Sequence, residues 1–147
     1  MKFVVSRHSA LGDVVCTLPA AGALKAAYPD CTIHWLCSPR FSDIVRQCKH
    51  VDHVIDWPKS RAEQKAVWAK IGEVDAAFDL QGLFKSGLAI SGLKAKQKLG
   101  FHWQREGAWL FSQKVKPDPT SHHVVDQYVD VVRTAGADER GATFGLE

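Results

Sequence analysis

Short apolar segments alternate with helix-like segments along most of the chain, and this order restricts the fold more than any other feature. Short, mostly apolar runs are typical of strands that are covered on both faces in a parallel sheet. We predict strands at Lys2–Ser6, Thr32–Leu36, His53–Asp56, Ala76–Asp79 and Lys98–Phe101, with a weaker one at Gln113–Lys116. The sequence therefore predicts an α/β fold with a doubly wound, mostly parallel, Rossmann-like sheet and right-handed crossovers.

Helix-like segments separate these strands. We predict helices at Val14–Ala27, Phe41–Cys48, Arg61–Lys70, Lys85–Leu93 and Arg105–Phe111. A further helix follows from an apolar stripe that includes Val124, Tyr128 and Val132, with Ser121 as its N-cap and Gly136 as its C-terminal stop.

The composition is that of one ordinary globular domain. The 147 residues are 46% hydrophobic and 24% charged, which suffices for a core. The apolar run at the N-terminus is too short for a signal peptide, and no other run is long enough to cross a membrane, so we expect a cytoplasmic protein. The four cysteines form no CxxC pair and the seven histidines no ligand cluster, so we predict free thiols and no metal.

The first loop carries the most informative polar residues. Gly12 and Asp13 stand where the first strand gives way to a helix, and ligands in open α/β sheets bind beyond the carboxyl ends of the strands. Asp13 has two interpretations, a helix N-cap or a general base aimed into a cleft. Neither GxGxxG nor GxxxxGK[ST] occurs, so the usual phosphate-binding loops are absent from the sequence.

The loop after the fourth strand, Asp79–Ser86, repeats this arrangement. Gly82 permits a backbone shape that other residues avoid, Gln81 offers an amide, and Lys85 beside a helix N-terminus favours an anion. The alternative interpretation is a tight strand-to-helix turn with Lys85 in solvent.

Basic residues are concentrated in the second half of the chain. Residues 81 to 116 contain seven lysines and arginines against one acid. Such a surface attracts phosphates, or it is an ordinary solvated face. Arg105 lies among aromatic side chains that suit single-stranded nucleic acid or packing, and Lys59 and Arg61 follow the third strand. The formal net charge of +3 is too small to indicate a nucleic-acid partner.

Two segments, SRHSALGDVVCTLPA at residues 6–20 and DLQGLFKS at residues 79–86, together with several shorter ones, resemble glycosyltransferase family 9. These are the ADP-heptose:lipopolysaccharide heptosyltransferases. The resemblance implies the GT-B architecture of two Rossmann-like domains. It implies that residues 1–147 form one acceptor-binding domain, the N-terminal half, and that the C-terminal donor-binding domain is absent from this chain, which we expect to be inactive alone.

The same resemblance implies roles for individual residues. Asp13 matches the family's catalytic base in an inverting transfer. The remaining candidates for binding an anionic acceptor are Ser9, Gly12, Lys59, Arg61, Gln81, Lys85 and Arg105. Gln81 and Lys85 have a second interpretation, in which they shape the cleft. No metal or cofactor is implied. ADP-heptose is expected as the donor substrate, and the acceptor is expected to be a lipopolysaccharide core of the Kdo/heptose–lipid A type, with peripheral contact at the inner membrane.

Other hypotheses stay open. The arginine cluster of close heptosyltransferases is reduced here to Lys59-Ser60-Arg61, so another sugar acceptor is compatible with the sequence. A non-catalytic module that binds an anionic glycan or lipid is the main alternative. A receiver-like regulatory domain fits less well, because Arg7 and His8 stand where receivers have an acidic pair.

Overall fold

The computed structural model describes residues 1–100, 110–115 and 124–133. Several predictions fall outside these ranges: Arg105, most of the helix predicted at Arg105–Phe111, and both Ser121 and Gly136 as helix ends.

Six strands form one sheet, and every neighbouring pair of the described strands is parallel. The strands lie in the order β3-β2-β1-β4-β5-β6. Their bounds are β1 Lys2–Ser6, β2 Thr32–Cys37, β3 His53–Asp56, β4 Glu73–Asp79, β5 Lys94–Gly100 and β6 Gln113–Lys114. Because the strands are parallel, all of them end at the same side of the sheet, which we call the carboxyl edge. The predicted doubly wound, Rossmann-like fold is confirmed.

Six helices are seen in the described residues: α1 Leu11–Thr17, α2 Pro19–Ala27, α3 Ser42–Arg46, α4 Arg61–Ile71, α5 Phe84–Ser91 and α6 Val124–Arg133. The single helix predicted at Val14–Ala27 was wrong in two respects. It begins earlier, at Leu11, and it divides at Pro19, which has no N–H to continue the hydrogen-bond ladder.

Alternate residues of the central strand pack into two separate cores. Phe3 and Val5 of β1 belong to a cluster with residues of α1, α2 and α6, whereas Val4 packs with residues of α4 and α5 on the other face. This alternation follows from the two-residue period of a strand. Both faces of the sheet are therefore covered, and the carboxyl edge is where loops and side chains meet solvent. None of the described helices combines the length and the hydropathy needed to cross a membrane.

Candidate active site at the carboxyl edge

Asp13 lies at the carboxyl edge beside the central strand. It occupies the first turn of α1, and 63% of its side chain is exposed. The N-cap of α1 is Ala10, so the interpretation of Asp13 as an N-cap was wrong. The helix begins three residues earlier than predicted, which moves Asp13 inside it and leaves the carboxylate facing outward.

A buried arginine stands behind this carboxylate. The Nη2 atom of Arg7 lies 3.4 Å from Oδ2 of Asp13, and the Arg7 side chain is only 7% exposed. Nη1 donates to the carbonyl oxygen of Leu80 at 2.7 Å and to the Tyr128 hydroxyl at 3.3 Å. The guanidinium also lies over the Tyr128 ring, 5.4 Å from its centroid. Arg7 is thus fixed by the loop after β4 and by α6, and it offers Asp13 a cation of defined position.

His8, the next residue, is buried and serves the scaffold. Its Nε2 lies 2.8 Å from the Ser6 hydroxyl, which donates its own proton to the carbonyl of Ser86 at 2.8 Å. The Ser6 oxygen must therefore accept from His8, which places the imidazole proton on Nε2. Burial, with smaller effects of the Lys85 and Arg7 charges, lowers the pKa of His8 to about 3. His8 is neutral at physiological pH and is no proton donor for catalysis there.

The loop between β4 and α5 holds a second carboxylate, Asp79, which is fully buried. Its Oδ1 accepts hydrogen bonds from the backbone N–H groups of Gln81 at 3.1 Å and Gly82 at 2.9 Å. Gly82 has φ 79°, the left-handed conformation that glycine adopts without strain. The other oxygen of Asp79, Oδ2, has no hydrogen-bond partner among the described residues. Burial raises the pKa of the Asp79 carboxyl group. Asp79 shapes the loop and does not reach solvent.

The two loops are joined through Gln81. Its Oε1 accepts from the backbone N–H of His8 at 2.8 Å and of Ser9 at 3.3 Å. Its Nε2 donates to the Ser9 hydroxyl at 3.4 Å. The side chains of Gln81 and Ser9, both predicted to contact the acceptor, are brought together and bonded to each other.

The remaining predicted residues lie around this centre. Lys85 is exposed at the second position of α5, next to the central loops. Lys59 and Arg61 are exposed after β3, at the same edge but with β2 between them and β1. Gly12 is exposed in α1, and a methyl group added there would meet nothing within 4 Å. Arg105 lies outside the described residues.

Sequence reasoning missed Arg7 and Tyr128 as parts of this site. Arg7 directly follows β1, so its position was readable, but a buried arginine is not expected without a known partner. Tyr128 belongs to the apolar stripe of α6 and was assigned to packing alone. The contact between them joins residues 121 positions apart, which only the fold reveals. Among the described residues, no group of three or more potential metal ligands occurs.

Comparison with known proteins decides the family. The model of glycosyltransferase family 9 (heptosyltransferase) matches residues 64–144, more than half of the chain. The chain belongs to glycosyltransferase family 9. The predicted resemblance is confirmed. The matched residues begin after Asp13.

Curated relatives of this family 9 chain align over most of its length. Lipopolysaccharide heptosyltransferase 1 of Escherichia coli K12 is 31% identical over 150 residues, which cover 91% of this chain and 45% of the relative. Lipopolysaccharide core heptosyltransferase OpsX of Haemophilus influenzae is 28% identical over 131 residues, which cover 85% of this chain and 38% of the relative. The chain therefore spans less than half the length of these relatives.

A solved structure of the family gives the same fold. E. coli heptosyltransferase WaaC with ADP superimposes with a TM-score of 0.82 at 26% identity, covering 99% of this chain and 51% of that one. The E. coli ADP-heptose heptosyltransferase II structure has a TM-score of 0.75 at 20% identity, which supports the fold alone.

Proposed function

We propose that this chain is the acceptor-binding half of a heptosyltransferase and that Asp13 is its general base. The observation that carries the proposal is the geometry of Asp13: an exposed carboxylate at the carboxyl edge of the central strand, 3.4 Å from a buried arginine. In open α/β sheets this edge is where ligands bind. The E. coli relative of known structure was solved with ADP, and curated relatives are lipopolysaccharide heptosyltransferases.

The proposed reaction is an inverting sugar transfer from ADP-heptose. An acceptor hydroxyl binds against Asp13, whose carboxylate removes the proton while the hydroxyl oxygen attacks the anomeric carbon. The bond from that carbon to the ADP oxygen breaks, ADP leaves with the electron pair, and the configuration inverts. Arg7 holds the carboxylate in place, because its own guanidinium is fixed by Leu80 and Tyr128.

We infer that the cations of the carboxyl edge bind the anionic groups of a Kdo/heptose–lipid A acceptor. Lys85 follows β4, whereas Lys59 and Arg61 follow β3, which lies three strands from β4 in the sheet. Acceptor charges distributed over such a distance fit a large glycolipid better than a single phosphate. The donor-binding half corresponds to the part of the relatives that this chain does not cover. No metal or cofactor is required for this chemistry, and we propose that the chain alone does not turn over.

The deciding experiment is heptose transfer by the full-length gene product, measured by mass spectrometry with ADP-heptose and Kdo–lipid A. Loss of a general base costs about 10²-fold or more, so we expect Asp13→Ala to lower kcat by at least that factor. Asp30→Ala is the matched control, because Asp30 is an exposed acid that precedes β2 at the opposite edge.

Two outcomes would contradict the proposal. Near-normal turnover by Asp13→Ala would exclude Asp13 as the base. Binding of the acceptor without any transfer by the full-length protein would favour the alternative of a non-catalytic module for an anionic glycan or lipid.

We also propose that this edge makes peripheral contact with the inner membrane. Leu11 is 52% and Phe84 42% exposed, and these residues begin the helices that follow the neighbouring strands β1 and β4. Leu110 is 69% exposed beside Phe111, which packs against Phe84 at 5.2 Å between ring centroids. Exposed apolar side chains next to Lys85 suit an anionic lipid surface.

Vesicle sedimentation tests this contact. With vesicles of mixed anionic and neutral phospholipid, Phe84→Ser and Lys85→Ala should each weaken binding, and Lys65→Ala on the exposed part of α4 should not. Equal binding by all variants would exclude this surface as the membrane contact.

A further inference from the structure

The side-chain amide of Gln81 is occupied by the neighbouring loop. The Oε1 atom accepts two backbone hydrogen bonds, from His8 at 2.8 Å and Ser9 at 3.3 Å, and Nε2 reaches the Ser9 hydroxyl at 3.4 Å. Both acceptor positions of the amide oxygen and one of the two N–H donors are thereby used within the loops.

The backbone of Gln81 is held by Asp79. Asp79 Oδ1 accepts from the Gln81 backbone N–H at 3.1 Å, and Gly82 at φ 79° turns the chain so that both N–H groups face one carboxylate oxygen. Asp79 is fully buried, so its side chain has a fixed position. The Gln81 amide is thus a fixed point that projects from β4 towards the loop after β1.

The clamped residues lead directly into the helix of Asp13. Ser9 is followed by Ala10, the N-cap of α1, whose carbonyl accepts from the N–H of Val14 at 2.8 Å. The orientation of the first turn of α1 therefore depends on how residues 8–10 are held. A shift of about 1 Å in a reacting group is enough to lower a rate 10²-fold.

We propose that Gln81 is a positioning residue: it fixes the β1–α1 loop, and through it the carboxylate of Asp13, and does not bind the acceptor. This inference rests on the proposed function, since it gives Gln81 a role through the general base. It also separates Gln81 from Lys85, whose exposed ammonium group remains available to an acceptor.

The first test measures the loop itself in this chain, without any substrate. Amide hydrogen exchange should show at least about 10-fold faster exchange at His8 and Ser9 in Gln81→Met, because both N–H groups lose their acceptor. Gln81→Glu retains an acceptor oxygen and should keep the protection. Val4 in β1 reports global unfolding and should be unchanged, and Gln97→Met, on an exposed residue of β5, is the matched control.

The second test is steady-state transfer by the full-length gene product. Gln81→Met should lower kcat about 10-fold or more with the acceptor KM unchanged, and Gln81→Glu should restore most of kcat. A direct acceptor contact predicts the opposite, a raised KM, and an added negative charge would raise the KM for an anionic acceptor further.

The outcomes distinguish this inference from the proposed function. If Asp13→Ala is nearly as active as the wild type, the general base is wrong, whatever Gln81 does. If Asp13→Ala is inactive but Gln81→Met raises KM at unchanged kcat, or leaves the His8 and Ser9 amides protected, Gln81 is not a positioning residue.

Discussion

Two carboxylates lie at the carboxyl edge, Asp13 in the first turn of the helix after β1 and Asp79 at the end of the neighbouring strand β4, yet their environments are opposite. Asp13 is 63% exposed and faces a side-chain cation, whereas Asp79 is fully buried and accepts from backbone N–H groups. Position at the carboxyl edge is therefore insufficient for a catalytic role. The exposure of the oxygen atoms and the identity of their partners decide which carboxylate is available for chemistry.

The difference has a local cause. Asp79 is the last residue of β4, and the chain that follows it turns so that the N–H groups of Gln81 and Gly82 both face one of its oxygens. Asp13 is in the first turn of α1, after a loop of four residues has carried the chain out of the sheet. The chain thus uses one acid to build the loop scaffold and the other to face solvent.

Replacing each acid by alanine should separate the two roles by stability. Asp79→Ala leaves the N–H groups of Gln81 and Gly82 without their acceptor, and we expect a loss of about 2 kcal/mol in the free energy of unfolding. Asp13→Ala breaks an ion pair whose acid is largely exposed and should cost less than about 1 kcal/mol. Urea denaturation measures both, and Asp79→Asn, which keeps an acceptor oxygen, should lose less than Asp79→Ala. Equal losses for the two alanine variants would mean that the loops do not differ as described.

The fold was predictable from the sequence because strand periodicity is local. β1 and β3 have the predicted bounds, and the parallel order follows from the alternation of strands and helices. The start of α1 was missed because Ala10, without a capping side chain, gives no signal of a helix end. The place of Asp13 at the carboxyl edge was predicted correctly, since it depends only on the end of β1.

The partners of the site were not predictable. The environment of Asp13 depends on Arg7, and that of Arg7 on Leu80 and Tyr128, which are distant in sequence. Gln81 was predicted either to contact the acceptor or to shape the cleft. Its hydrogen bonds with residues 8 and 9 were not predictable, because they join two loops that lie 73 and 72 positions apart in the chain. The roles proposed for Lys59, Arg61, Lys85 and Arg105 stay predictions.

The buried histidine of the first loop should make stability depend on pH. Burial lowers the pKa of His8 from its ordinary value of 6.5 to about 3 in the folded protein. As the pH falls, the unfolded chain therefore binds a proton at His8 before the folded protein does, and stability falls as the pH drops below 6.5 towards 3. His8→Gln keeps a donor for Ser6 but does not titrate. When the pH is lowered from about 7.5 to about 5.5, the free energy of unfolding of His8→Gln should therefore fall by about 1.4 kcal/mol less than that of the wild type. Parallel pH curves for the two proteins in urea denaturation would contradict the buried, neutral state of His8.

The glycine in the helix after β4 should not tolerate a methyl group. A Cβ atom at Gly87 would lie 2.7 Å from Cδ2 of Phe111 and 3.4 Å from Oδ2 of Asp79. The gain in helix propensity is smaller than the cost of this overlap, so Gly87→Ala should lower stability by about 1 kcal/mol. Truncating Phe111 removes the overlap, and in a Phe111→Ala background the same change should become stabilising. A Gly87→Ala protein as stable as the wild type would show that Phe111 moves aside without cost.

The glycine in the helix after β1 should behave in the opposite way. Gly12 is exposed, and a Cβ atom added there meets nothing within 4 Å, so Gly12→Ala gains helix propensity and should raise stability by about 0.5 kcal/mol. The same methyl group stands next to Asp13, on the surface where we place the acceptor. Thermal unfolding and transfer kinetics together therefore test whether this open space belongs to the substrate. A raised acceptor KM in a stabilised protein would mean that the acceptor approaches the backbone at Gly12. An unchanged KM would place the acceptor on the other side of the carboxylate, towards Lys85.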